Sequence, residues 1–200
     1  RTAARCGRLE AAGHQQQVRE TTGLTLDPAF AATRMAWLLA EGGVRAGPSL
    51  ALGTIDSFLL WRLTGGAAFA TDHSAASRTL LYDIRYGTWS TELCDLLGVP
   101  RAALPELRPT SGRLGTTAGG VPVSALVGDE PAALFAQGCV HAGMAKATYG
   151  HASVVLRHAG DRCPAPVDGL LTTVAWSLAG ERPVFAYEGS TAAAGAALDW

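Results

Sequence analysis

Along these 200 residues the apolar positions first recur at helical spacing and later switch to strand spacing. Arg1 to Gly13 is rich in Ala, with Cys6 and Leu9 on one side and Gly13 past its end, which predicts a helix. Asp27-Pro28 marks a second start with Pro in the first turn. Phe30, Arg34, Trp37, Leu38 and Glu41 follow at helical spacing up to Gly42-Gly43, and Trp37 is expected in the core. A short apolar run, Leu50 to Leu52, precedes a third helix from Thr54 to Leu63, closed by Thr64-Gly65-Gly66. Ser90 is expected to cap a helix through Leu97 that Gly98 ends. Pro100, Pro105 and Pro109 then mark a loop. From Met144 the period shortens: Met144 to Tyr149, Ser153 to Arg157, Leu170 to Trp176 and Val184 to Glu188 read as strands, and Ser190 to Trp200 as a small-residue helix.

Between these two regimes lies Val123 to Gly138. Val123 to Val127 reads as a buried strand that runs into Gly128-Asp129, with a helix-forming run from Ala132 to Gln137 behind it. A carboxylate at the C-terminal end of a strand, just before a helix, stands where α/β folds open their ligand crevice. The same residues, with Pro131 in the first turn and Gly138 past the end, also form an ordinary cap pattern. The local pattern alone favours the cap, and the two roles are compatible.

Composition narrows the field. A formal net charge of -1, with no basic cluster interleaved with aromatics, gives no electrostatic case for nucleic acid or an anionic membrane. Asp56 interrupts the most apolar run, so no membrane span is expected. Cys6, Cys94, Cys139 and Cys163 are scattered without a CxxC pair, and the five histidines lack ligand spacing. Reduced thiols and a cytoplasmic setting are expected, with no protein-ligated metal.

GDEPAALFAQGC from Gly128 and GMAKATYGHASVVL from Gly143 together resemble the junction of the FGGY carbohydrate kinases, most of all the members that phosphorylate glycerol. RETTGLTLDP, LALGTIDSFLLWRLTGG, TDHSAASRTLL, LLGVPRAALPELRP and YEGSTAAAGAALDW extend the resemblance over the whole chain. It implies an α/β ribonuclease H-like, actin-type ATPase fold: the C-terminal part of a first domain, 1–138, on the acceptor side, and the start of a second, 139–200, on the nucleotide side. It further implies an internal segment of such a kinase, one not expected to turn over alone, with ATP and Mg²⁺ as cofactors, a polyol acceptor, and room for a homo-oligomer.

The resemblance also assigns roles. Asp129 takes the place of the catalytic base that accepts the proton of a primary hydroxyl. Gly150, His151 and Ala152 stand at the turn that meets the phosphates of ATP, where the family has Gly-Thr-Gly. Ala29 replaces a tyrosine that contacts the polyol, Glu130 replaces a glutamine, and Val154 replaces a phenylalanine that packs on the carbon chain. Ala29 and Val154 widen the expected pocket, which raises a larger polyol or sugar, or a catalytically silent relative, as alternatives to glycerol. Glu130 would repel Asp129 by roughly 4 kcal/mol at about 4 Å and an effective dielectric near 20, so one of them protonates or the two splay apart; at a helix start it could also face water.

Overall fold

A computed structural model describes residues 2–150 and 152–198. The chain opens with two helices, α1 (Ala3–Ala11) and α2 (Gln15–Thr22). The second is absent from the sequence reading: QQQVRETT is polar nearly all round and buries only Val18 and Thr22, so it carries little apolar periodicity. Its end is built by Gly23, whose φ of 76° no other residue adopts cheaply. A side chain there would also collide with the Thr172 carbonyl. Helix α3 (Ala31–Ala40) begins later than Asp27-Pro28 suggests, because the Asp27 carboxylate accepts from Ala29 N–H at 2.7 Å and holds 27–30 as a turn. Trp37 is not core either. Ala32, Met35 and Ala36 take the buried face, while Trp37 is half-buried and its indole N–H donates to Glu41.

Helix α4 (Ile55–Leu63) leads into β1 (Ala70–Asp72), the short helix α5 (His73–Ala76), β2 (Tyr82–Asp83) and β3 (Thr88–Trp89). Helix α6 (Thr91–Leu97) is capped as its sequence predicts: the Ser90 hydroxyl accepts from Leu93 N–H, and Gly98 closes it at φ 68°. Then come β4 (Glu106–Arg108), parallel to β1, and the antiparallel pair β5 (Ser111–Thr116) and β6 (Pro122–Ala125). Strand β6 corrects the expectation of a buried strand over 123–127. It pairs only with β5, ends at Ala125, and exposes Pro122, Ser124 and Ala125; only Val123 and Leu126 lean on the cluster of Leu60, Ala68, Ala70 and Leu114.

Helix α7 (Asp129–Ala136) starts on Gly128, so Asp129 is its first helical residue and not its cap. The last portion is a four-stranded antiparallel sheet of β7 (Ala145–Tyr149), β8 (Ser153–Gly160), β9 (Leu171–Trp176) and β10 (Val184–Thr191), in the order β7-β8-β10-β9. Strand β10 runs through Ser190 and Thr191, and the last helix, α8, spans only Gly195–Leu198; Asp199 and Trp200 lie outside the described residues. One core packs α3, α6 and the β2–β3 hairpin against Val174 and Phe185 of this sheet, and a smaller one seats Leu134 of α7 on Leu156, Ala175 and Ala186. Among the described residues no helix is long and apolar enough to cross a membrane, and all four cysteines are free thiols.

Candidate active site

Residues opposite one another in a sheet share a face. The register aligns Lys146 of β7 with Leu156 of β8, and Leu156 with Glu188 of β10. One step along, Thr148, Val154 and Ser190 are aligned in the same way. Helix α7 lies over this face through Leu134, which brings the helix start, Asp129 and Glu130, to the β7 side.

There the Lys146 side chain is fully buried, and its ammonium forms an ion pair with Glu130 while also donating to Thr148 Oγ1 at 2.6 Å. Burial pushes the Lys146 pKa down; the nearby charges of Asp129 and Glu188 pull it back up. Asp129 is exposed, its Oδ1 accepts from the Glu130 N–H at 2.9 Å, and among the described residues it forms no ion pair. The two adjacent acids are thus splayed. Glu130 turns to Lys146 and leaves Asp129 open.

On the β10 side, Glu188 is buried among apolar neighbours and receives both guanidinium nitrogens of Arg78 at 2.8 and 2.9 Å, a bidentate pair. Arg78 also stacks over the Phe30 ring at 5.2 Å. Both charges line a cavity of about 350 Å³ with Asp27, Ala29 and Ser190. Ala29 is exposed in its wall, whereas Val154 sits half-buried beside Ser190 on the sheet. Sequence reasoning passed over Glu188, whose one signal was an acid inside the apolar run VFAYEG.

Gly150 and Ala152 lie in the β7–β8 turn, and His151 between them falls outside the described residues. Gly150 N–H donates to Ala152 O at 2.9 Å, and Gly150 O accepts from Gly195 N–H at 2.8 Å, so its backbone groups are already paired. Its φ is ordinary, and a side chain would touch only Ala152 O at 3.5 Å. Neither strain nor crowding demands glycine there. Among the described residues no group of three or more His, Cys, Asp or Glu could cage a metal ion. A further concavity of about 490 Å³ lies by α4 between Trp61, Phe58 and Phe69; no titratable side chain lines it, so it offers no proton chemistry.

Residues 1–136 match the model of the N-terminal domain of the FGGY family of carbohydrate kinases. The whole chain aligns at 47% identity with the glycerol kinase of Halorhodospira halophila and at 49% with that of Trichlorobacter lovleyi, and it spans only 41% and 42% of their lengths. Among solved structures, Plasmodium falciparum glycerol kinase with ADP superposes over the full chain, 42% of its own, with a TM-score of 0.91 at 26% identity. Xylulose kinase from Rhodospirillum rubrum gives 0.83 at 21% identity over 41% of its length, a likeness of fold alone. The order of motifs, the actin-type fold and the match over 1–136 agree, and this chain belongs to the FGGY family of carbohydrate kinases.

Proposed function

We propose that the complete gene product carrying this sequence transfers the γ-phosphoryl group of ATP to a polyol, with glycerol as the first candidate, and that Asp129 is its base. The observation that carries this reading is an exposed carboxylate at the rigid start of α7, without an ion pair among the described residues, next to an acid that is neutralised by Lys146. As the acceptor oxygen bonds to the γ-phosphorus, its proton passes to Asp129 and the bond from phosphorus to the ADP oxygen breaks. Glycerol is supported by relatives at 47–49% identity named as glycerol kinases.

Residues 1–138 supply the acceptor side in this reading, and 139–200 begin the nucleotide side, with the turn at Gly150, His151 and Ala152 towards the phosphates. The paired backbone of Gly150 is a poor fit to a phosphate cradle as it stands, so its groups would have to exchange partners on binding. Mg²⁺ bound with the nucleotide would supply charge neutralisation for the phosphates, held by the phosphates themselves and few protein ligands. Ala29, Glu130 and Val154 complete the acceptor surface. The cavity of about 350 Å³ that Ala29 opens favours, as a second reading, an acceptor longer than a triol.

ADP release by the complete gene product, with glycerol and with a series of longer polyols, tests both readings. Turnover on glycerol that Asp129→Asn abolishes is the expected result. Turnover confined to a longer acceptor selects the second reading, and undiminished turnover in the variant refutes Asp129 as base.

A further inference from the structure

Asp72 at the end of β1 is a fully buried carboxylate that forms no ion pair among the described residues. It is held instead by hydrogen bonds. Oδ1 accepts from the Ala75 N–H at 2.9 Å and from the Ser74 hydroxyl at 2.8 Å, and Oδ2 accepts from the Thr110 hydroxyl at 2.7 Å. A hydroxyl has one proton. Because Ser74 gives its proton to Asp72, it has only lone pairs left for its other neighbour, and it accepts from the Gly128 N–H at 3.0 Å. Gly128 is the N-cap of α7 and immediately precedes Asp129. Thr110 is oriented in the same way: its hydroxyl, having donated to Asp72, accepts from the Ser177 N–H at 2.9 Å, and its carbonyl accepts from the Leu126 N–H at 2.9 Å. The segment from Leu126 to Gly128 is therefore held at Gly128 by a hydroxyl that the buried carboxylate orients, and at Leu126 by the carbonyl of Thr110, whose hydroxyl the same carboxylate binds.

We propose that Asp72 and Ser74 are positioning residues for Asp129: the carboxylate fixes the Ser74 hydroxyl as an acceptor, and that hydroxyl fixes Gly128 and with it the origin of the base. The proposal rests on Asp129 being the base. Helix α7 lacks a side-chain cap of its own, so this contact from a residue 54 positions earlier is what anchors its first turn to β1 and α5. Ser74 is fully buried and offers no surface to an acceptor or nucleotide. Its effect passes through the placement of Asp129 alone.

The test is a set of steady-state measurements on the complete gene product with glycerol or whichever acceptor it turns over. Ser74→Ala deletes the acceptor of Gly128 N–H without adding bulk. The expected result is a kcat lower by roughly 10- to 100-fold, as small misplacements of reacting groups cost, with KM for acceptor and ATP changed less than about twofold. Thr22→Ala is the control: Thr22 is equally buried at the end of α2, donates to Val18 O at 2.7 Å and accepts from Leu24 N–H at 3.0 Å, so its loss costs stability without touching Ser74 or Gly128. It should lower the melting temperature and leave kcat in place. In an Asp129→Asn background Ser74→Ala should cost nothing further, since there is no base left to misplace. A Ser74→Ala enzyme with wild-type kcat, or losses that multiply in the double variant, overturns the positioning role while leaving Asp129 as base. Wild-type turnover by Asp129→Asn alone overturns both.

Discussion

The bidentate pair between Arg78 and Glu188 joins residues 110 positions apart, so its removal should weaken the whole fold. The Glu188 side chain is 8% exposed and that of Arg78 35%. Two unit charges about 4 Å apart attract by roughly 4 kcal/mol at an effective dielectric of 20. Breaking a fully buried pair costs about 3–5 kcal/mol and a surface pair about 0–1. Arg78 is one-third exposed and Lys146 still feels Glu188 through space, which places Arg78→Met between these limits, at about 2–3 kcal/mol. At about 2–4 °C per kcal/mol for a chain of this size, the melting temperature should fall by roughly 5–10 °C. Urea titration and thermal melts followed by circular dichroism read both quantities. Most of the cost is the stranded Glu188 charge, so Arg78→Met/Glu188→Gln should be more stable than Arg78→Met. A loss below about 0.5 kcal/mol, typical of a surface substitution, or a double variant no more stable than the single one, refutes the reasoning.

His73 and His158 are both held below the ordinary imidazole value of 6.5 by burial. The unfolded chain then binds protons near pH 6.5 that the folded chain does not, so stability is full above that pH and falls as pH drops through the window below it. His73→Gln should flatten this slope in urea titrations between pH 7 and about 5; an unchanged slope contradicts the assignment. Leu134→Ala empties the centre of the small cluster between α7 and the sheet, where Leu134 has no exposed surface. It should cost about 3 kcal/mol in the same titrations.

How much of this was legible in the sequence follows from how far apart the interacting residues are. The Ser90 cap with Gly98 is a local pattern, and the structure reproduces it. The four strands after Met144 declare themselves as short apolar runs between turn residues, though their ends shift by a few residues and β10 absorbs the first residues assigned to the last helix. Helix α2 escaped because its stability comes from two buried side chains and a glycine cap, not from an apolar stripe. Strand β6 deceived because an apolar run shows what can be buried and not what covers it. In the site, Asp129 stood out from a short motif. Its consequences for Glu130 did not, because Lys146 arrives 16 residues later on β7, and Glu188 later still on β10. The expectation that Glu130 and Asp129 repel counted two charges; the folded face contains five.

Those five charges are arranged so that one carboxylate is left over. Glu130 has Lys146 and Glu188 has Arg78, while Asp129, exposed, has no ion pair among the described residues. A carboxylate locked to a cation is a poor proton acceptor, since the pairing stabilises its ionised form, so the arrangement keeps the nearest ammonium occupied. Glu130 is then a shield: it holds the Lys146 ammonium in an ion pair, although Lys146 still feels the charge of Asp129. Glu130→Gln should remove that shield in two ways that act in the same direction, by deleting a neighbouring negative charge and by leaving a buried ammonium without its ion pair. The freed ammonium is then available to the remaining carboxylate. In the complete gene product kcat should therefore fall, because a carboxylate engaged by an ammonium is a weaker proton acceptor. The same substitution should make Lys146 easier to deprotonate, since its partner charge is gone. An undiminished kcat in Glu130→Gln would mean that Lys146 stays clear of Asp129 and that Glu130 serves only the packing of α7 on β7.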